Sequence, residues 1–182
     1  ANVLLRFQLS DGTAHTHYVA VPARARRTVD VGGDVDAMEQ AEFSTVLESD
    51  QAVVVDRTMA WDRSGYGSHA ETGLSAPATT WYLAEGATHS GIDLFYLLQN
   101  ANDAAAHARV TFLLPAPAAP VVRDYELPPQ SRTNVWVDLI EGLASTDVSA
   151  TIVADRPIVV ERALYLNSGG KIFGAGHESA GV

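Results

Sequence analysis

Two segments of the chain have nearly the same apolar sequence. Residues 157–166 read PIVVERALYL, and residues 52–61 read AVVVDRTMAW. Each line is an apolar run that an acid and an arginine interrupt, and the two arginines, Arg57 and Arg162, stand 105 positions apart. Apolar runs of this length that are rich in valine and isoleucine predict buried β-strands. The same interruption at the same point of both runs predicts an architecture that the chain uses twice.

The agreement extends to both sides of these lines. FSTVLESDQAVVVDR, from Phe43, aligns with VSATIVADRPIVVER, from Val148. ANVLLRF at residues 1–7 aligns with ARVTFLL at 108–114, and SHAETGL aligns with GHESAGV, which places His69 on His177. A similarity with a domain-sized period predicts tandem modules.

The repeat predicts two unequal modules with a boundary in GLSAPATT, at residues 73–80. Module one comprises residues 1–76 and is a truncated β-sandwich, and module two comprises residues 77–182 and is complete. Only module two has a segment like 79–107, which contains two predicted strands, TTWYLA and IDLFYLLQN. We therefore expect module one to be completed from outside, by an upstream segment or by another subunit, and repeated donation of this kind would build a filament.

The composition restricts the partners. The 182 residues are 47% hydrophobic, which is enough for a core in each module, and the net charge is −10. Nucleic acids and anionic membranes are bound by clustered Lys and Arg, so neither is expected as a partner. The chain has no cysteine and no run of about 20 apolar residues, so we expect neither disulfides nor insertion into a membrane.

The local pattern predicts an all-β protein. Short runs of valine, threonine and aromatic residues alternate with glycine, proline, asparagine and aspartate, and about seven strands in a complete module suit an immunoglobulin-like sandwich. Helix is expected only as a turn or two in 34–43 and 137–145. The predicted strands are 2–9, 14–21, 27–31, 43–49, 52–61, 80–84, 92–99, 108–114, 121–127, 132–138, 148–154 and 157–166.

Several phrases of module two carry a family resemblance. WYLAEG at 81–86, LLQNAN at 97–102, the line at 157–166 and the closing GH at 176–177 together resemble an uncharacterised tandem β-module of bacterial secreted and cell-surface proteins. Two departures are small: NAND replaces the family's Asn-Pro-Asn, and Leu164 replaces its methionine. The resemblance implies an extracellular or cell-surface, non-enzymatic structural or adhesive protein. The alternative is a carbohydrate- or cell-wall-binding module of a larger secreted enzyme.

Glu161 and Arg162 are the most informative charged residues. Neighbours in a strand point to opposite faces, so one of the two points into the module and needs a partner, because an unpaired buried charge is costly. We predict a structural ion pair between Arg162 and Glu85, with Arg57 as the equivalent framework residue of module one. The alternative is that Glu85 and Glu161 are paired carboxylates for glycoside cleavage, which would have to converge to about 5–10 Å.

The remaining polar residues predict no catalytic set and no cofactor. His69 and His177 are expected to hold the last strand of each module by hydrogen bonds, since no Gly-x-Ser-x-Gly turn is present to expose a nucleophile. Asp34, Asp36 and Glu39 lie in one acidic loop, which we interpret as solvated. A weak Ca²⁺ site there is the alternative, although the loop lacks the ligand order of helix–loop–helix sites. No other metal site is expected.

The three tryptophans discriminate between the two non-enzymatic functions. Trp61, Trp81 and Trp136 stand at strand positions, where tryptophan most often packs into a core. If they were exposed and coplanar, they would form a platform for a sugar ring. Buried tryptophans would favour the structural function, and exposed ones the carbohydrate-binding alternative.

Overall fold

A computed structural model describes residues 1–61 and 67–182. Strands make up 58% of the chain and helices 6%, and every strand pairing is antiparallel. The prediction of an all-β protein is therefore confirmed. No helix in the described ranges has the length and apolar character that a membrane span requires.

Residues 1–76, for which we keep the name module one as residues 77–182 keep the name module two, form a three-stranded sheet and a separate two-stranded hairpin. The sheet has the order β2-β1-β3, and the hairpin consists of β4 and β5. One face of β1 is buried with Met38, which comes from a short turn over the sheet. The strands are β1 (Asn2–Leu9), β2 (Ala14–Ala20), β3 (Phe43–Ser49), β4 (Asp56–Trp61) and β5 (Gly67–Thr72).

Module two is organised around one long strand, β11, of 20 residues. The first half of β11 pairs with β6 and β8, and the second half pairs with β7 and β12. β9 extends the sheet beside β8, and β10 extends it beside β7. The strands are β6 (Ala78–Leu83), β7 (Ile92–Asn100), β8 (Ala106–Leu113), β9 (Val121–Leu127), β10 (Ser131–Trp136), β11 (Ser149–Ser168) and β12 (Lys171–Ala180).

The larger core belongs to module two. It draws alternate residues from β6, β7, β8 and β11, as expected for strands with one buried face. At about 25 cal/mol per Å² of apolar surface, this cluster is the main source of stability in the chain. Its largest fully buried side chains are Tyr96, Phe112, Leu94, Leu98, Leu127, Leu143 and Ile152.

The closing hairpins of the two modules have the same register. Arg57 lies opposite Glu71 in one hairpin, and Arg162 lies opposite Ser179 in the other. These are the positions that the sequence alignment equates. The first strands need a correction of two residues: the pairing of β1 with β3 and of β8 with β11 equates Phe7 with Phe112, both fully buried, rather than with Leu114. A shift of two keeps every side chain on its face.

Some predicted elements differ from the observed ones. Residues 27–30 form no strand, because their equivalent in module two, β10, pairs with β7, and module one has no β7. The predicted strands at 148–154 and 157–166 join into β11, since Pro157 lies at a break in the pairing with β6, where no ladder hydrogen bond is lost. β5 and β12 were not predicted, because both are rich in glycine and polar residues. The helical segments are single turns at Val31–Asp34, Asp36–Met38 and Val137–Leu139.

Candidate functional site

The hairpin of module one packs against module two. β5 lies along β12, and Trp61 at the end of β4 reaches the first residues of β12. The indole Nε1 of Trp61 donates a hydrogen bond of 2.6 Å to the carbonyl oxygen of Phe173. Its ring meets Tyr165 edge-on, with 5.4 Å between the ring centroids. Packing and a directed hydrogen bond together hold the hairpin in place.

Gly176 in β12 makes this contact possible. A Cβ atom at this position would lie 2.6 Å from Cη2 of Trp61 and 3.1 Å from Tyr165. Both distances are shorter than van der Waals contact, so any side chain at Gly176 would push the indole away. Glycine at position 176 therefore leaves room for the indole of Trp61 against β12.

Four charged or titratable side chains meet between the hairpin and module two. We call Arg57, His69, Glu161 and Glu178 the junction cluster; the first two come from module one and the last two from module two. Nη2 of Arg57 contacts Oε2 of Glu178 and lies 3.5 Å from Oε2 of Glu161. Nδ1 of His69 lies 2.9 Å from the same oxygen of Glu178, and Nε2 of His69 lies 3.3 Å from the hydroxyl of Tyr165.

The cluster is largely withdrawn from water. The side chain of Glu178 is only 2% exposed and that of His69 only 3%, while Glu161 and Arg57 retain 22% and 37%. A carboxylate at the depth of Glu178 would be unstable without a positive neighbour. Arg57 supplies that charge across the module boundary.

The two carboxyl groups have opposite pKa shifts. Burial raises the pKa of Glu161 to about 7, and the negative charge of Glu178 adds to the rise while Arg57 opposes it. Burial also acts to raise the pKa of Glu178, but the hydrogen bond with His69 and the charge of Arg57 outweigh it and lower the pKa to about 2. Near neutral pH the pair therefore holds one firm negative charge, on Glu178.

This arrangement joins two surfaces of the chain through one guanidinium. Both carboxylates, Glu161 and Glu178, contact Arg57. The other predicted carboxylate, Glu85, is exposed in the loop after β6. Its main chain contacts Arg162, which points to the opposite face of β11 from Glu161, so Glu85 and Glu161 are not brought together.

The predicted pair of Glu85 and Arg162 differs from the structure in its chemistry. Nη1 of Arg162 donates to the main-chain carbonyl of Glu85, and Nη2 donates to Oγ of Ser179 at 2.9 Å. In the described ranges no ion pair joins the two side chains. The carboxylate of Glu85 stays in water, where it is well solvated, and a carbonyl dipole meets the buried guanidinium instead. Position 85 was thus correctly placed beside Arg162, but its carboxylate is not the partner.

A second set of polar contacts joins the modules near the start of β3. Nη1 of Arg132 in β10 donates to the carbonyl of Phe43 at 2.7 Å, and Nδ2 of Asn134 donates to Glu42 at 2.7 Å. The amide of Gln99 in β7 donates to the buried Gln8 at 2.9 Å. The sequence carried no signal for these contacts, because each joins residues about 90 positions apart on strands whose facing surfaces are known only after folding.

The remaining predicted residues have separate surroundings. His69 is buried in the junction cluster, whereas its equivalent His177 is exposed, so only His69 makes the expected contacts. Asp34 accepts a hydrogen bond from the amide of Asp30 at the start of the helical turn, where an acid complements the free amides. Within 1–61 and 67–182, no three acids or histidines are grouped so as to hold a metal ion, so Asp34, Asp36 and Glu39 form no such site.

The three tryptophans do not form one platform. Trp81 is buried in the core of module two, and its Nε1 donates to the carbonyls of Ala78 and Ile158. Trp61 is half-buried at the junction. Trp136 is 41% exposed and packs on Phe95, with 5.2 Å between the ring centroids.

The comparisons with known proteins bear on the fold. No family model matches the chain, and no curated protein is significantly similar to it. The crystal structure of Thermotoga maritima 1070 is similar with a TM-score of 0.53 at 19% identity, covering 58% of this chain and 94% of that one. The Anabaena sensory rhodopsin transducer is similar with a TM-score of 0.42 at 26% identity, covering 50% of this chain and 86% of that one. The likeness to the Thermotoga protein concerns the fold alone.

Proposed function

We propose that the protein is a non-enzymatic structural or adhesive component of a bacterial exterior, built from tandem immunoglobulin-like modules that are locked to one another. The observation that carries the proposal is the junction cluster. Each module contributes two of its side chains, and Arg57 of module one pairs with the buried carboxylate of Glu178 of module two across the boundary. A fixed angle between successive modules is what a stalk, fibre or coat needs in order to transmit shape along its length.

The tandem architecture rests on the sequence repeat and is supported by the register. Val55 accepts a hydrogen bond from the amide of Gly73, and Val160 accepts one from Gly181, at positions that the alignment equates. We infer that the two halves of β11 hold two sheets face to face around the core of module two, as in a sandwich. Module one repeats this plan in part, and the outer face of β11 and β12 covers its hairpin.

The test is the mobility of the two modules, measured by ¹⁵N relaxation of the whole chain. We expect one rotational correlation time in the parent. Arg57→Ala removes the cation beside the buried carboxylate of Glu178, so we expect the hairpin of β4 and β5 to detach and its amides to move independently of module two, while the sheet of module one stays attached. Arg109→Ala is the matched control, because Arg109 and Asp124 form an exposed pair, which contributes little. Independent motion in the parent would contradict the proposal.

The carbohydrate-binding alternative is favoured by one observation, the exposed Trp136 packed at a tilt against Phe95. Cosedimentation with purified cell walls and release of reducing ends separate the three functions. A structural protein shows neither saturable binding to glycan nor hydrolysis. Saturable binding that Trp136→Ala removes would establish the alternative, and hydrolysis that Glu161→Gln removes would establish an enzyme.

A further inference from the structure

β3 of module one has an unpaired edge. The amide of Asp50 bonds to the carbonyl of Asn2, so every second residue of β3 from this point exchanges hydrogen bonds with β1. The intervening residues, Thr45, Leu47 and Ser49, point their amides and carbonyls away from β1. At the start of this edge the carbonyl of Phe43 accepts a hydrogen bond from Arg132, but in the described part of the chain no other strand pairs with β3. Free edges of this kind are templates for strand addition.

Module two shows which strand occupies the same edge. Its equivalent of β3 is the first half of β11, where β6 pairs antiparallel on the side away from β8. In that register Trp81 lies opposite Ile152, and Leu83 lies opposite Ala150. Both side chains of β6 enter the core of module two.

The apolar residues beside the free edge are less buried than their equivalents. Ile152, Ile158 and Val160 of module two are fully buried, at 0% exposure. Leu47, Val53 and Val55, at the equivalent positions, are only partly buried. Leu47 and Val53 are thus less buried at the two positions whose equivalents, Ile152 and Ile158, pair with β6.

The end of module one keeps the space that a tryptophan would need. At Gly181 of module two, a Cβ atom would lie 3.0 Å from Cε3 of Trp81, so glycine admits the indole. Its equivalent, Gly73, is also glycine, but the nearest atoms to its Cβ position all belong to Val55, at 3.5 Å or more. The next residue of module two, Val182, pairs with Tyr82 of β6 in both directions, at 2.8 and 3.1 Å.

We propose that the outer edge of β3 is a docking site for a single β-strand with the pattern of β6, contributed by a module of the same repeat other than a second copy of this chain, because β6 of such a copy is already built into its own core. The strand adds antiparallel to β3, with its tryptophan opposite Leu47 and its second apolar residue opposite Thr45. The indole packs on Gly73 and donates to the carbonyl of Val53, as Trp81 does to Ile158. The proposal shares the repeat with the proposed function but not the junction cluster, so each can fail alone.

The experiment adds a synthetic peptide, PATTWYLAEG from residues 77–86, to the whole ¹⁵N-labelled chain. We expect amide exchange at Thr45, Leu47 and Ser49 to slow by at least about tenfold at saturation, because strand addition protects these groups. A peptide that carries Trp81→Ser and Leu83→Ser has the same backbone and should give no protection. Equal protection by both peptides would overturn the proposal.

The variant Gly73→Val tests whether the indole of the docked strand packs on Gly73. The new side chain meets no atom closer than 3.5 Å at Cβ, so we expect the variant to melt like the parent but to bind the peptide at least about tenfold more weakly. Tyr18→Val, in β2 at the opposite edge of the sheet, is the control and should bind normally. Three results would overturn the proposal: unchanged binding to Gly73→Val, protection confined to β11, or protection of β3 that rises with protein concentration without peptide, which would mean a second copy.

Discussion

At the scale of single residues, one arginine position finds two different partners. Arg162 donates inside module two to a carbonyl and a hydroxyl, whereas Arg57 contacts two carboxylates of the other module. A guanidinium carries five donors and stays charged, so any acceptor in reach can meet it. The arginine occurs in both aligned segments. Its neighbours determine whether it bonds within its own module, as Arg162 does, or to the other module, as Arg57 does.

The first prediction concerns the pH dependence of the junction. The pKa of Glu161 is raised to about 7, so between pH 4.5 and 7 the unfolded chain loses a proton that the folded chain keeps, and stability falls as pH rises. Glu161→Gln carries no such proton. We expect its free energy of unfolding, relative to that of the parent, to rise by about 1–3 kcal/mol between pH 4.5 and 8, as measured by urea titration.

Glu126→Gln, at an exposed position of β9, is the control for this measurement and should show no such trend. Below pH 4.5 the free energy of unfolding of the parent changes with pH in the opposite direction. The pKa of Glu178 is lowered, so its contribution to stability is present above the ordinary glutamate range and is lost as the pH falls toward about 2. A relative stability of Glu161→Gln that does not change between pH 4.5 and 8 would show that Glu161 ionises normally.

At the scale of elements, β11 and β12 serve both modules at once. One face of β11 carries Val160 and Arg162 into the core of module two, and the other carries Glu161 and Tyr165 to the hairpin of module one. This double use follows from the period of two along a strand. It also explains why Arg162 bonds within module two, whereas its neighbour Glu161 contacts the hairpin of module one.

The second prediction concerns the glycines of β12. Gly176→Val places a side chain where Trp61 packs, so we expect the free energy of unfolding to drop by about 1–3 kcal/mol. Gly174→Val is the matched control in the same strand. Its Cβ would have ordinary contacts at 3.6 Å or more, so we expect a change within about 0.5 kcal/mol. Tryptophan fluorescence during urea unfolding measures both variants, and equal effects would argue against the packing of Trp61 on β12.

At the scale of the whole molecule, stability is unevenly distributed. The core of module two is drawn from residues 81–160, whereas the described part of module one, 1–61 and 67–76, has a core cluster of four buried residues, Val3, Leu5, Phe7 and Met38. Cores of that size rarely support a fold alone. Module one therefore depends on the surface that module two offers to its hairpin and to β3.

The third prediction follows from this asymmetry. Residues 77–182 expressed alone should fold and unfold cooperatively, because their core contains no residue of module one. Residues 1–76 alone should show no cooperative unfolding and no dispersed amide spectrum. Thermal circular dichroism and a ¹H–¹⁵N spectrum of each fragment test both statements. A stable fold of 1–76 would contradict the dependence on module two.

The all-β class and the acid–arginine strand that occurs twice could be predicted from the sequence, whereas the predicted ion pair of Glu85 with Arg162 was wrong about the partner atom. The class and the strand depend on local pattern, since alternation, turn residues and an interrupted apolar run are visible in neighbouring letters. The sequence predicted Trp81 as a core residue for the same reason. It failed at 27–30, where the local pattern was that of a strand but no partner strand was present.

Only the tertiary structure decided the junction. Arg57, His69 and Glu178 lie on strands of unremarkable sequence, and up to 121 positions separate them. Their contact depends on which outer face of module two the hairpin covers. The alternation of residues along a strand predicts which side chains share a face, but it does not predict which other element packs against that face. The pKa shifts of Glu161 and Glu178 arise from the same burial and the same neighbours, so they too exist only in the folded molecule.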